Sequence, residues 1–232
     1  METSFNQGYD MAKLLGICGS VRSGATEYAL KTALEEAEKY PGIETQFWTV
    51  KGKKIRPCIH CDVCITNKTM CTIKDDLKKL EDPFLEADGL LIASPVYDMG
   101  ITAQLTAVLN RLRPIYLVHP GRMRNKPGAA LTTGGTRHGG QEMTLQIIHN
   151  FFLMHEMFSY GGLGGCYSGG TVWSKDNKAE GAEADDVGMD TVTRVAQGLA
   201  EAVLVTSQGR AWWKSEHAYS PSVEEDSPLR DH

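Results

Sequence analysis

The chain contains no run of about 18 apolar residues, the length a membrane-spanning helix requires, so the sequence predicts no membrane span. It has no excess of basic residues either. Its 24 Lys and Arg face 29 Asp and Glu, a net charge of −5, and no global positive field invites nucleic acid. The opening METSFNQGYD lacks the apolar core of a secretory signal, and a cytoplasmic location is expected. Structural disulfides are rare in a reducing cytosol, which argues against pairing among the six cysteines. No internal repeat marks a solenoid. The seven histidines form no metal-ligand pattern, and His149 and His155 read as structural residues of one helix. No nucleophile is placed beside a base in a way that suggests hydrolysis.

What the chain does have is a strict alternation of elements. Its 232 residues, 41% hydrophobic and 23% charged, suit one domain with an ample core. KLLGICGS (Lys13 to Ser20) is a short apolar run closed by glycine and serine, the signature of a strand buried on both faces. TEYALKTALEEAEKY carries apolar residues at helical spacing, and IETQFWTV reads as a weaker strand. DDLKKLEDPFLEA reads as a helix capped by Asp75 or Asp76, DGLLIASPVY as the clearest strand, and TAQLTAVLNRL as the next helix. GAALTTGGT is a fourth strand, GQEMTLQIIHNFFLMHEM a long helix, Phe158 to Gly161 a short fifth strand, and GMDTVTRVAQGLAEAVLVTSQ the last helix. Strands alternating with helices predict an α/β fold with a doubly wound parallel sheet. Five strands suit the flavodoxin-like order 2-1-3-4-5. Residues 12–207 form this domain, with residues 57–72 inserted as a cysteine-rich loop; residues 1–11 and 208–232 read as tails.

Ligands of such sheets bind outside the carboxyl ends of the strands, so the loops there are the candidates. After the first strand comes GSVRSGAT, Gly19 to Thr26. Its Gly19–Gly24 spacing resembles a Walker A loop, but Ala25 stands where that loop needs lysine, which argues against a nucleoside triphosphate. A phosphate still suits a turn that leads into a helix N-terminus with hydroxyls at Ser20, Ser23 and Thr26 and a cation at Arg22. A merely capped turn would look the same. After the third strand, Pro95, Val96, Tyr97, Asp98, Met99 and Gly100 offer a fixed turn, an aromatic face and close backbone approach, which suit a flat aromatic ligand or a simple hairpin. After the fourth, TTGGTRHGG brings four glycines that permit positive φ, with Thr133, Thr136, Arg137 and His138 as donors.

GSVRSGAT, ASPVYDMGITAQLTAVLNRL and KPGAALTTGGTRHGGQE resemble the FMN-reductase branch of the flavodoxin-like fold. With PCIHCDVCITNKTMC between them, the chain resembles the iron–sulfur flavoproteins over about residues 13 to 206. The resemblance implies non-covalent FMN. Its phosphate would sit on Ser20, Arg22 and Thr26, and its ring against Pro95 to Gly100 and Thr133, Gly134 and Gly135. It implies a 4Fe-4S cluster on Cys58, Cys61, Cys64 and Cys71, and a homodimer or homotetramer whose flavin pocket is completed by a second subunit.

The spacing C-x2-C-x2-C-x6-C agrees with this implication. Zinc sites usually come as two separated pairs, whereas three cysteines in one tight run match ferredoxins. Only Cys18 and Cys166 remain elsewhere, too few for a second cluster, so Cys71 closes the same site. Lys51, Lys53, Lys54, Arg56, Lys68 and Lys74 flank it and would balance an anionic cluster, and His60 lies between two ligands. The expected function is electron transfer from a one-electron donor such as ferredoxin, by way of the cluster and FMN, to a small-molecule acceptor. The alternatives are an NAD(P)H-dependent FMN or quinone reductase, a small-metabolite dehydrogenase, and a zinc-stabilised flavin-binding regulatory module.

Overall fold

A computed structural model of the chain describes residues 11–216. In chain order the elements are β1 (Ala12–Cys18), α1 (Ala25–Ala37), β2 (Ile43–Thr49), the short α2 (Val63–Thr66), α3 (Lys78–Glu86), β3 (Gly89–Pro95) and α4 (Ala103–Arg111). There follow α5 (Pro114–Val118), β4 (Pro127–Gly134), α6 (Gln141–Met154), β5 (Phe158–Tyr160), β6 (Gly170–Trp173), α7 (Lys178–Glu183) and α8 (Asp186–Glu216). All strand pairings are parallel, in the order β2-β1-β3-β4-β5. This is the flavodoxin-like fold that the alternation predicted.

The sheet separates two apolar layers. Successive side chains of β1 point to opposite faces: Leu14 packs with Leu30 and Leu34 of α1 and with Leu199 and Val203 of α8. Leu15 and Ile17 pack with Leu80 and Phe84 of α3, Leu105 and Val108 of α4, and Phe152 of α6. Close approach of helix and sheet has a residue requirement. A Cβ on Gly128 would lie 2.7 Å from Cδ1 of Phe152, so only glycine lets α6 lie on β4 at this depth. Among the described residues no helix is long and apolar enough to cross a membrane.

Three features depart from the sequence reading. The fifth position of the sheet is shared by two short strands. β5 pairs with the first half of β4 (Pro127 with Phe158) and β6 with its second half (Leu131 with Gly170). β6 has a recognisable signal in hindsight, a β-branched and aromatic run between Gly-Gly and turn residues. Next, Asp75 and Asp76 do not cap α3, which begins at Lys78; their carboxylates turn instead to the cysteine loop. Finally, α8 does not stop at Gln208 but continues to Glu216. Gly209 does not end it because Arg210, one residue on, donates to Asp88 Oδ1 at 2.8 Å and to the Asn125 carbonyl at 3.2 Å, docking this turn on the sheet's lower edge. The remaining residues of the two expected tails lie outside the described residues.

At the end of α6, His155 is 3% exposed, with neither ring nitrogen hydrogen-bonded among the described residues. Its ring lies 4.5 Å from that of Phe151 and 6.1 Å from that of Phe84. Burial pushes its pKa down to about 4 from 6.5. The imidazole is therefore neutral in the folded chain at pH values where the unfolded chain begins to take up a proton. Stability is unaffected above about pH 6.5 and falls as pH drops toward 4, by about 3 kcal/mol when fully developed. Urea unfolding at pH 7 and pH 4.5 should show a loss of this order in the wild type. The loss should be smaller in His155→Phe, whose other titrating groups are the same; equal losses would show that His155 is not responsible.

Candidate functional site

The loops at the carboxyl ends of β1, β3 and β4 are joined to one another. Thr26, at the start of α1, shares a 2.6 Å hydrogen bond with Thr133 at the end of β4. Thr102 caps α4 by accepting from the Leu105 N–H, and its hydroxyl donates to the Gly19 carbonyl at 2.7 Å. The Val96 N–H donates to the Thr133 carbonyl at 2.9 Å. The structure thus brings Ser20, Arg22, Ser23, Gly24 and Thr26 to the same edge as Pro95 to Gly100 and Thr133 to Gly135.

The hydroxyls of the first loop are mostly committed. Ser20 donates to the Arg22 carbonyl at 2.9 Å, and Ser23 donates to Glu27 at 2.8 Å while accepting from Lys51. The Lys31 ammonium beside Glu27, with Ser23, holds that carboxyl below the usual range. Two hydroxyl hydrogens serve the Thr26–Thr133 pair and one suffices for the bond, so the second is free to meet a ligand. No side chain caps α1. Its first backbone N–H groups, the exposed Arg22 and this threonine pair are the groups that suit a phosphate here.

The β3 loop is a tight hairpin. Tyr97 and Gly100 exchange both backbone hydrogen bonds at 2.9 Å, and Asp98 (φ 47°) and Met99 (φ 63°) are both left-handed, the backbone of a type I′ turn. Left-handed backbone is tolerated by aspartate and disfavoured for methionine. The turn presents Tyr97 and Met99 outward, 40% and 62% exposed. It is held from below by Gly140, whose φ is +106° and whose Cβ, if it had one, would lie 2.6 Å from the Met99 Cα.

In the β4 loop, Gly140 is the one glycine of the four with positive φ. Gly134 and Gly135 are instead required by close approach within the chain. A Cβ on Gly134 would meet the Gln141 amide, and one on Gly135 the Asp176 carboxylate. Gln141 staples the loop through bonds to the Thr136 carbonyl and the Gly139 N–H. The segment after β6 adds a fourth wall unforeseen in the sequence. Trp173 donates to the Gly135 carbonyl at 2.9 Å, and its ring carries Arg137 at 4.3 Å and Lys175 at 4.5 Å.

The cysteine segment is a loop closed at its neck. Asp76 accepts from the Lys54 N–H at 2.9 Å, and Asp75 accepts from the Arg56 and Leu77 N–H groups at 3.0 and 3.1 Å. Between the strands of this neck lies Arg111, with no side-chain exposure. It pairs with Asp75 and donates to the Arg56 carbonyl (3.1 Å), the Ile73 carbonyl (3.1 Å) and the Cys71 sulfur (3.4 Å). Burial pushes the Asp75 carboxyl up, but Arg111 and the two N–H groups outweigh it and hold the group below its ordinary range. Beyond the neck, Arg113 pairs with Asp62 at 3.2 Å.

All four cysteines are free thiols. Cys58 and Cys61 are exposed, and Cys64 and Cys71 are half-buried. Burial, and next the neighbouring Cys71, push the Cys64 thiol up. Among the described residues no three His, Cys, Asp or Glu side chains gather closely enough to hold a metal ion. The donor set and the clamped neck fit a four-thiolate site; the outer arm with Cys58 and Cys61 has to draw in to complete it. A groove of about 520 Å³ runs along this arm, lined by Arg56, Ile59, Cys61 and Lys74 among others. Sequence reasoning missed Arg111, although an arginine in line with Ala107 and Val108 on an apolar helical stripe was there to be noticed.

The model of the NADPH-dependent FMN reductase family matches residues 12–164. An iron–sulfur flavoprotein of Methanocaldococcus jannaschii is 38% identical over 198 residues, covering 85% of this chain and 99% of its own length. One of Archaeoglobus fulgidus is 40% identical over 189 residues, covering 81% and 95%. Among solved structures, the flavoenzyme NAD(P)H:acceptor oxidoreductase of Paracoccus denitrificans superposes with a TM-score of 0.61 at 14% identity, covering 84% of this chain and 98% of that one, a likeness of fold. Fold, edge loops and family model together define an FMN-dependent oxidoreductase. Within that class the chain belongs to the iron–sulfur flavoproteins of the NADPH-dependent FMN reductase family.

The contact of Gly140 with Met99 is a point where one atom is expected to matter. Gly140→Ala forces a left-handed alanine against backbone, at a cost of about 1–3 kcal/mol. It should lower the unfolding midpoint in urea and weaken FMN binding measured by fluorescence quenching. An unaltered affinity for FMN would show that the β3 hairpin does not shape the flavin site.

Proposed function

We propose that this chain is an electron-transfer flavoprotein that holds FMN at the carboxyl edge of the sheet and a 4Fe-4S cluster on Cys58, Cys61, Cys64 and Cys71. Electrons come singly from a reduced protein such as ferredoxin and leave for a small-molecule acceptor. The observation that carries the reading is the cysteine loop itself, four free thiols on a segment whose neck is locked by a buried ion pair. When bound, the cluster supplies one-electron steps and FMN both one- and two-electron steps.

The chain's own residues have distinct tasks in this reading. The N-terminal turn of α1, with Arg22, Ser20, Ser23, Gly24 and the Thr26–Thr133 pair, would hold the FMN phosphate. The Tyr97–Gly100 hairpin, with Pro95 and Val96 before it, and the Thr133–Gly135 strand end would flank the ring. Lys54, Arg56, Lys68 and Lys74 form no ion pair among the described residues, in a protein of net charge −5. They would draw an acidic partner to the face that carries the exposed Cys58 and Cys61. A homodimer or homotetramer is supported by an exposed apolar stripe on α6, Met143, Ile147 and Met154. The stripe is continuous with the β3 hairpin, since Ile147 Cδ1 lies 3.3 Å from where a Gly100 Cβ would be.

A second reading is favoured by the matched family, which is named for NADPH: a nicotinamide donor reducing FMN directly. The two readings separate in stopped-flow reduction of wild type and Cys61→Ala by reduced ferredoxin and by NADPH. Ferredoxin should be the faster donor to the wild type and should lose its advantage in the variant. Rapid reduction of both proteins by NADPH would favour the second reading. Iron and acid-labile sulfide should each be about four per chain in anaerobically purified protein, the content of one cubane; stoichiometric zinc without sulfide would sink the cluster.

The phosphate assignment has its own test. A charge-assisted hydrogen bond contributes roughly 1.5–3 kcal/mol, so Arg22→Ala should weaken FMN by about tenfold or more and leave riboflavin, which has no phosphate, nearly unchanged. Equal losses for the two flavins would remove Arg22 from the phosphate site.

A further inference from the structure

We propose that Arg111 is the positioning residue for the fourth thiolate. It fixes Cys71 across the six-residue gap that separates it from Cys64, and it keeps a permanent positive charge and an N–H donor against the Cys71 sulfur. This rests on the four-thiolate reading above. Cys58, Cys61 and Cys64 recur every third residue, so the short chain between them limits how far apart they can lie, but nothing local determines where Cys71 lies. The structure supplies that placement from outside the loop.

Arg111 is the last residue of α4, and its backbone is anchored between Val108 and Leu112, both fully buried. Each of its guanidinium nitrogens is used. Nε donates to the Cys71 sulfur, one terminal nitrogen to Asp75 and the Arg56 carbonyl, and the other to the Ile73 carbonyl. Those acceptors span both sides of the neck, residues 56 on one side and 71, 73 and 75 on the other. A planar fork of five donors can serve four acceptors at once, whereas an ammonium on a flexible stem cannot reproduce that geometry. The sulfur gains an N–H bond and a neighbouring cation, and both raise the potential of a cluster that the sulfur ligates.

Arg111→Lys and Arg111→Met separate the fork from the charge. The first readout needs no metal. Hydrogen exchange of the full chain, read by mass spectrometry, should rise at least tenfold over residues 70–76 in both variants, while peptides of β1, β3 and α8 keep their protection. The second readout is the midpoint potential of the cluster in anaerobically prepared protein. It should move to more negative values in Arg111→Met, with the FMN potential unmoved and iron per chain reduced. If Arg111→Met fails to fold, Arg111→Gln, which also removes the charge, carries both measurements. Unchanged exchange at 70–76, or an unmoved cluster potential in a charge-free variant of full iron content, would overturn the proposal. Absence of iron and sulfide in the wild type would overturn the 4Fe-4S reading, and the exchange over residues 70–76 would still decide whether Arg111 holds Cys71 in place.

Discussion

β1, β3 and β4 are covered on both faces, and that constraint governs where everything else in the molecule can lie. Leu14, Leu15, Ile17, Leu90, Leu91 and Ile92 are all at or near zero exposure, so no polar group can leave the sheet sideways without being stranded. Polar side chains emerge only where strands end. At the carboxyl end they are then close enough to bond one another, and the threonines do so: Thr26 with Thr133, and Thr102 with the Gly19 carbonyl. The edge is a set of separate loops in sequence and a connected hydrogen-bonded surface in space. A flavin that binds there meets groups already held in place, which lowers the ordering cost of binding.

The second site depends on a different interaction, the buried pair of Arg111 and Asp75. Surface pairs such as Lys13–Glu86, about half exposed on both sides, are screened by water and add little. Arg111 has no exposed side-chain area and Asp75 has 6%. Losing one partner of such a pair strands a charge and costs about 3–5 kcal/mol. That magnitude is large enough to decide the conformation of a loop that has little apolar burial of its own. α4 also joins the two sites mechanically. Thr102 at its start bonds to the β1 loop and Arg111 at its end bonds to the cysteine loop. Nine residues at 1.5 Å each make a rigid spacer of about 14 Å.

The sheet was legible in the sequence because its signals are local. A continuous apolar run such as LLGIC needs no partner to be read as a buried strand. β6 was hidden because four residues carry too little periodicity, and its place beside β4 is fixed by a long-range pairing. The edge loops were legible as positions: Gly, Ser and Thr at strand ends are local chemistry. Their internal bonding was not. Gly134 and Gly135 looked like room for a ligand, yet each makes room for a side chain of this chain, Gln141 and Asp176. Likewise the acidic pair Asp75 and Asp76 has the look of a helix cap, and only the tertiary fold sends it to Arg56, Lys54 and Arg111. Spacing identified the thiols, whereas the residue that places the last of them lies forty positions away.

Backbone strain follows the same division between sheet and edge. Of the eleven non-glycine residues with positive φ among the described residues, His60, Asp62 and Lys68 lie in the cysteine loop, Asp98 and Met99 in the β3 hairpin, and Lys175, Asp176 and Lys178 in the turn from β6 into α7. Each left-handed residue of this kind costs about 1 kcal/mol or more and persists only where surrounding contacts over-determine it. In the hairpin those contacts are visible, a closed pair of backbone bonds and the Gly140 backing. At the turn into α7 the Trp173 ring and the Ser174 bonds to Gly134 do the same. In the cysteine loop the neck is held by Arg111 and Asp62 pairs with Arg113 at 3.2 Å, whereas among the described residues His60 has its N–H on the Cys58 sulfur and a 3.7 Å approach to Asp62. Strain without matching contacts needs another source of restraint, and four metal–thiolate bonds would supply it, since metal binding and loop folding draw on the same free energy. A locked neck and a loosely held outer arm agree with the proposed ligation, in which the thiolates of the arm would close on those of the neck.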